Sequence, residues 1–283
     1  MKDSLELQCL EAARQLTQSY KSTVPPFYPA SVADQLGVAG IRERLLTCDA
    51  RVTAEMSGLY IEINSVFPET RRRLSLAHEI GHLILDKCMG GAHLQEKNHS
   101  REVEALCNRI AGLLLAPDWA IRKHFQNSAG LGDWPETIRC ATLLSAASAF
   151  NISIDAMTAR VVRELGLAPS AVAVIWRYTE NRASSESTVA LRVTSVWQNK
   201  GSSFFVPLNK TAPLDSVIRR ASNRSGVLCA EEDLSLGSLR GRFLVEAAGF
   251  GATQRTAEGM RTSAVLSLIR PLSHTPLPTS AHN

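Results

Sequence analysis

Apolar residues recur at helical spacing from the start of the chain. Leu5, Leu7, Leu10, Ala12, Ala13 and Leu16 predict an amphipathic helix over residues 4–20. The stretch STVPPFYPA interrupts it, Ala30 to Leu36 resumes as a short helix, and Gly37 is placed to cap its end. Residues 40–65 alternate between apolar and polar side chains and predict two or three strands. Within them MSGLYIEINSV, Met56 to Val66, has the period of a half-buried hairpin. From Arg71 to Leu85 the pattern changes again. Leu74, Leu76, Ala77, Ile80, Gly81, Leu83, Ile84 and Leu85 make that helix apolar nearly all round, as expected of a buried element. A polar, Gly-containing loop follows over 87–100, then a helix from Arg101 to Leu115 that Pro117 stops.

Residues 118–167 read as helical, with a turn at Asn151-Ile152-Ser153 and a second helix ending at Gly166, the layout of a helix-turn-helix. Its second helix carries only Arg160 and Arg163 as basic groups, which suits a structural bundle better than a DNA-reading element. Beyond Ala168 the texture becomes strand-like: VAVIWRY, TVALRVTSVWQ, SSFFVPL, GRFLVEAAGF and SAVLSLIRP, with one helix in TAPLDSVIRRASN. The predicted class is therefore α+β. A mostly helical domain with a small β-sheet spans 1–120, a helical segment 121–167 and an α+β domain 168–272. The tail 273–283 lacks a packing signal and is expected to be disordered.

Composition adds bounds. The chain has 283 residues, 45% of them hydrophobic and 20% charged, with ample material for a core. It has no apolar run of about 18 residues and no signal-peptide pattern, so no membrane association is expected. Six cysteines lie scattered without a C-x-x-C pair and read as reduced thiols of a cytoplasmic protein. The net charge is +4, and Ala168 to Arg270 holds 13 Arg or Lys against 8 Asp or Glu. A mildly basic C-terminal half allows a polyanionic partner.

The chemistry is concentrated in RRRLSLAHEIGHLIL, where His78, Glu79 and His82 spell H-E-x-x-H. Residues four apart share a helix face, so both imidazoles can address one metal ion. Glu79 is placed to take a proton from water held there. A catalytic zinc site needs a third protein ligand. LILDK follows His82, which excludes the metzincin extension. Glu104 on the next helix is best placed, with Glu96 in the loop and Glu102, about 160° around the helix, as rivals. Tyr60, His93, His99 and Arg101 are candidates to stabilise an oxyanion. Cys88, six residues past His82, could supply an inhibitory fourth ligand, whereas Cys107 is expected to pack. Arg71, Arg72 and Arg73 oppose the helix macrodipole and are expected to have carboxylate partners or a substrate role.

RRLSLAHEIGHLIL followed by VEALCNRIAGLLLAP resembles the ImmA/IrrE metallopeptidase family over roughly residues 5–120. Its members show a similar R-F-T-L-A-H-E-x-G-H segment and, about twenty residues on, an E-x-x-x-N-x-x-A-x-x-L-L-x-P helix. The resemblance implies a zincin-like, gluzincin-like fold with Zn²⁺ held by His78, His82 and Glu104 and with Glu79 as the base. Asn108 and Pro117 match further marks of the family, while Leu74 and Ser75 replace its usual aromatic-Thr pair. It also implies cleavage of a helix-turn-helix repressor, controlling stress, DNA-damage or defence genes. Some members carry a C-terminal domain similar to GAF sensors, and 168–272 resembles one in size and element order. A basic sensor-like domain would suit activation by single-stranded DNA or another anionic signal. The competing expectation is a zinc-containing, DNA-binding transcriptional regulator without protease activity.

Overall fold

The computed structural model describes residues 2–91, 93–95, 100–129, 138–180, 189–202, 204–256 and 259–272. The chain divides into two compact units, residues 1–124 with 147–157, and residues 125–146 with 158–283. The helical segment set apart at 121–167 is shared between them, and the tail 273–283 lies outside the described residues.

In the first unit, α1 (Lys2–Gln18) leads through a 3-10 helix, Pro29–Leu36, into β1 (Val38–Arg44), β2 (Ala50–Glu55) and β3 (Gly58–Asn64). Gly37 takes the left-handed conformation, φ 83°, that ends the 3-10 helix. The sheet order is β1-β3-β2, with β3 parallel to β1 and antiparallel to β2. The hairpin expected within 56–66 is therefore displaced. Met56 and Ser57 form its turn, and Gly58–Asn64 is a single strand pairing back with 50–55. As the central strand, β3 buries Ile61, Glu62, Ile63 and Asn64 in succession, which hides the expected alternation. Glu62 tolerates this because Arg44 and Arg51 clamp its carboxylate at 3.1 and 2.7 Å.

The motif helix α2 (Glu69–Cys88) and α3 (Arg101–Leu115) pack with α1 around a core that includes Leu10, Ile61, Ile80, Ile84, Ile110 and Leu114. Two of the three arginines at the start of α2 have carboxylate partners, Arg71 with Asp49 and Arg72 with Glu43. Arg73 is instead buried, donating to the carbonyls of Phe27 and Asn151 at 2.6 and 2.8 Å. It ties the loop before the sheet to the turn after α5 (Cys140–Phe150). α4 (Asp118–Ala129) precedes α5, and Asn151 forms the expected turn with φ 51°. The next helix begins as α6 (Ile154–Thr158) and widens to a π-turn over Ala159–Glu164. Ile154, Met157, Thr158, Arg160, Val161 and Val162 are buried there.

The second unit holds β4 (Val172–Glu180), β5 (Val189–Gln198), α7 (Val217–Ala221), β6 (Val227–Leu236), β7 (Leu239–Thr256) and β8 (Gly259–Pro271). They form one five-stranded antiparallel sheet in the order β5-β4-β8-β7-β6. Two expectations change here. Within SSFFVPL the described residues 204–208 form no strand: Pro207 lacks an N–H, Phe205 bonds to Ser238, Phe204 and Val206 are buried, and the chain meets β5 just beyond, at 209–212, where Asn209 is left-handed. Conversely, VLCAEEDLSL is strand β6, an edge strand whose acids Glu231 and Asp233 face solvent. The helix read in 211–223 shrinks to 217–221, capped by the Ser216 hydroxyl. Gly237, φ 65°, is obligatory, because a Cβ there would lie 2.1 Å from the Phe205 carbonyl oxygen.

Glu246 on β7 is buried and accepts from the Cys140 N–H at 2.7 Å and from Arg139 at 3.4 Å, with Arg270 at 3.7 Å. One carboxylate thus caps the start of α5 and pairs with two arginines. Glu246→Ala should destabilise this unit by about 3–5 kcal/mol, the effect of stranding a buried charge. Glu246→Gln, which keeps an acceptor for Cys140, should cost less. Chemical denaturation followed by tryptophan fluorescence, with Trp176 buried in the core, measures both.

Candidate metal centre

α2 exposes only part of one face. On it, His78 and His82 bring their Nε2 atoms to 3.1 Å from each other. Across the helix pair, Glu104 in the first turn of α3 sets Oε2 3.1 Å from His78 Nε2 and Oε1 3.7 Å from His82 Nε2. Three donors of a tetrahedral zinc with bonds of 2.0–2.1 Å lie about 3.3 Å apart. The separations here fit that spacing, and these three residues form a group able to hold one metal ion. Ser100 starts α3 by accepting from the Val103 N–H, which fixes where Glu104 begins to turn inward.

Gly81, between the histidines, makes the approach possible. A Cβ at this position would stand 3.1 Å from the Cys107 carbonyl oxygen and 3.2 Å from its Cα, both backbone atoms. Any larger residue pushes α3, and Glu104 with it, away from the histidines.

The far nitrogen of each imidazole has a partner. His78 Nδ1 lies 3.1 Å from Asn108 Oδ1, and His82 Nδ1 lies 2.9 Å from His93 Nε2 and 3.5 Å from Cys107 Sγ. A metal bound through Nε2 requires the proton on Nδ1, and both Nδ1–H groups then have an acceptor. The rings of His82 and His93 stack, with centroids 5.2 Å apart and planes 10° from parallel. His93, read from sequence as an oxyanion candidate, is fully buried behind His82. Its place is set by the end of α2: Gly91 N–H donates to the Asp86 carbonyl, and Asp86 Oδ1 accepts from the Leu94 N–H at 2.9 Å. No motif marks such a residue. The only signal is a histidine just past a Gly-Gly turn that folds back onto the helix.

Glu79 is largely buried beside this group. Burial, then the charge of Glu104, pushes its carboxyl up to about 7, against a lowering hydrogen bond from the Val52 N–H of β2. The remaining expectations are redistributed. Cys88 does not join the donors: six residues past His82 it lies about 240° around the helix and about 9 Å along it, and it packs against the core of the first unit. Cys107 packs, as expected, and touches His82 from behind. Tyr60 shares a hydrogen bond with Ser57 and lies under Arg42, 3.5 Å from its ring centroid. Arg101 and Glu102 are exposed on the first turn of α3, outside the donor group. Glu96 and His99 lie outside the described residues.

Comparison with known proteins places this arrangement. Residues 34–161 match the family model Peptidase_M78, the IrrE N-terminal-like domain. Over those residues the chain therefore carries a metallopeptidase-like domain of the IrrE/ImmA type, and the match runs past the end of the 5–120 stretch that carries the resemblance. A solved Mycobacterium tuberculosis transcriptional regulator is similar over 93% of this chain and 75% of its own, with 11% identity and a TM-score of 0.54. At that identity the likeness concerns the fold. No curated protein matches the chain. Among the described residues no single helix is long and apolar enough to cross a membrane.

Two substitutions test the geometry. His93→Ala should weaken metal binding roughly 10–100-fold in competition with a chromophoric chelator, and His93→Gln, which keeps an acceptor, should recover much of it. Gly81→Ala should cost about 1–3 kcal/mol in thermal or chemical unfolding and also lower metal affinity, because α3 must retreat.

Proposed function

We propose that the N-terminal unit is a zinc-dependent endopeptidase. The observation that carries this reading is the convergence of His78, His82 and Glu104 at tetrahedral spacing with Glu79 beside them. Zinc bound there would supply Lewis acidity and lower the pKa of water at the open position to near 7. The chain's own residues do the rest. Asn108 and His93 hold the imidazoles with Nε2 facing the site. Glu79, a desolvated carboxylate with a high proton affinity, accepts the proton of the attacking water and returns it to the leaving amine. The Val52 N–H donates a hydrogen bond to its carboxylate.

The substrate is a helix-turn-helix repressor, whose cleavage induces stress, DNA-damage or defence genes, and the β-rich C-terminal domain is the sensor. The excess of basic residues between Ala168 and Arg270 supports a single-stranded DNA or other anionic signal there, and the element order supports a GAF-like assignment. The regulator without protease activity is disfavoured. A DNA-reading helix needs an exposed face, whereas the second helix of the helix-turn-helix layout is mainly buried, with Arg163 its exposed basic residue.

The test is cleavage of a helix-turn-helix repressor encoded beside this chain, with and without single-stranded DNA. Wild type should cut it and Glu79→Gln should be slower by at least about 10²-fold, while binding zinc as well as wild type. Dependence on DNA would locate the switch. Zinc binding with no cleavage under any condition, and duplex binding that survives Glu79→Gln, would reverse the choice between the two readings.

A further inference from the structure

In the second unit, the end of α7 is held from three sides. Ser222, fully buried one residue past it, donates its hydroxyl to the Arg219 carbonyl at 2.8 Å and shares a hydrogen bond with the Tyr178 hydroxyl, also at 2.8 Å. Its own carbonyl accepts from Thr262, from the N–H at 2.7 Å and from the hydroxyl at 3.2 Å. Gly249 on β7 permits this approach, since a Cβ there would lie 2.6 Å from both the Ala221 carbonyl oxygen and the Thr262 hydroxyl. Three arginines surround this knot. Arg219 sits in the last turn of α7, and exposed Arg224 lies two residues past Ser222. Arg261 precedes Thr262 and sets its guanidinium 4.1 Å over the Tyr178 ring. Among the described residues none of the three has a carboxylate within 4 Å, whereas neighbouring Arg220 pairs with Glu232 at 3.7 Å. Like charges gathered in this way repel one another. Nor are they needed to meet the last carbonyls of the helix, because Ser222 serves that of Arg219 and Thr262 serves that of Ser222.

We propose that Arg219, Arg224 and Arg261 form a binding site for a compact phosphate anion, the chemistry shared by free phosphate, pyrophosphate and the terminal phosphate of a phosphomonoester. Guanidinium groups offer paired N–H donors that match phosphate oxygens. Ser222 holds the Tyr178 ring, and the ring holds the Arg261 guanidinium by a cation–π contact, so one donor group is oriented before the ligand arrives. The hydrogen bonds between Thr262 and Ser222 fix the spacing of Arg261 from the two arginines on the α7 side. Acids on either side bound the size of the ligand. Exposed Glu180 lies two residues beyond Tyr178 on the same face of β4, and exposed Asp215 precedes α7. A long run of phosphates extending past the arginines would meet these carboxylates, whereas one or two phosphates would not. The inference rests on the reading of the C-terminal domain as the sensor and narrows the class of its signal.

The experiment is isothermal titration calorimetry of the full chain with inorganic phosphate, pyrophosphate, AMP and a short oligothymidylate without terminal phosphates. Pyrophosphate should bind, and AMP against phosphate separates a phosphomonoester from the free anion. Replacing all three residues, Arg219→Gln, Arg224→Gln and Arg261→Gln, should weaken pyrophosphate binding at least roughly 10²-fold. The three corresponding lysine substitutions should recover part of it. Because Arg261→Gln removes a contact to Tyr178, Arg219→Gln with Arg224→Gln, at unchanged Tm, should alone cost roughly 10-fold. Removing the same charge elsewhere in the unit, at exposed Lys200, Lys210 and Arg240 by glutamine, should change the affinity by less than about 3-fold. The proposal is overturned if pyrophosphate does not bind, if both triple variants weaken it equally, or if the oligothymidylate binds more tightly than pyrophosphate and loses that binding with the three arginines. Cleavage switched by DNA without pyrophosphate binding would remove this site and leave the sensor reading standing. Pyrophosphate binding at the arginines, with cleavage indifferent to every anion, would do the reverse.

Discussion

α2 and α3 meet at Gly81, and the spacing of that contact controls everything the first unit can do. H-E-x-x-H places two imidazoles on one helix face by local geometry alone. The third donor belongs to another helix, so its distance depends on how closely two backbones approach. With glycine at the crossing, Cys107 backbone atoms lie 3.1–3.2 Å from where a Cβ would stand, and Glu104 comes within 3.1 Å of His78. The apolar residues flanking the motif supply the force that holds this contact, because Ile80, Ile84, Ile110, Leu113 and Leu114 exclude water around it.

A second layer keeps the donors aimed. Imidazole can present either nitrogen, and only one choice leaves both Nε2 atoms facing Glu104. Asn108 Oδ1, which can only accept, selects that choice for His78, and His93 supports it for His82 when its Nε2 accepts. His93 can do so because Asp86, on the same helix as the two histidines, ties the following turn back beneath His82. Motif and orienting residue are thus parts of one local structure, although the sequence between them looks like an ordinary polar loop.

What was legible in the sequence divides along this line. Features fixed within one helix could be read directly: the two histidines, Glu79, the span of α3, the turn at Asn151. Features that depend on which segments meet could be read only in part. Glu104 was favoured over its rivals because a helix face has a period, but nothing in the sequence placed His93 behind His82. Nor did it turn Cys88 towards α1, since the fourth-ligand expectation weighed sequence distance and not helical phase. The sheets show the same division. β3 was recognisable as a strand, yet its partner was misassigned because a central strand hides its alternation under burial on both sides. β6 was missed because an edge strand needs only one apolar face and tolerates a run of acids on the other. SSFFVPL has strand composition, but Pro207 within it and the left-handed Asn209 just after it break the run, and 204–208 join no ladder.

The charge pattern around the donors sharpens the chemical argument. Burial and then the charge of Glu104 disfavour ionisation of Glu79. Close to them the imidazoles turn lone pairs, and not N–H groups, inward whenever Nδ1 carries the proton. Such a group has an excess of acceptors directed at one point, an arrangement that hydrogen bonding alone cannot satisfy and a divalent cation can. The same cation would draw the Glu79 carboxyl back down. Its proton affinity would then be set by the balance of burial, Glu104 and metal charge, which is the balance a group needs if it is to accept and release one proton in a single turnover.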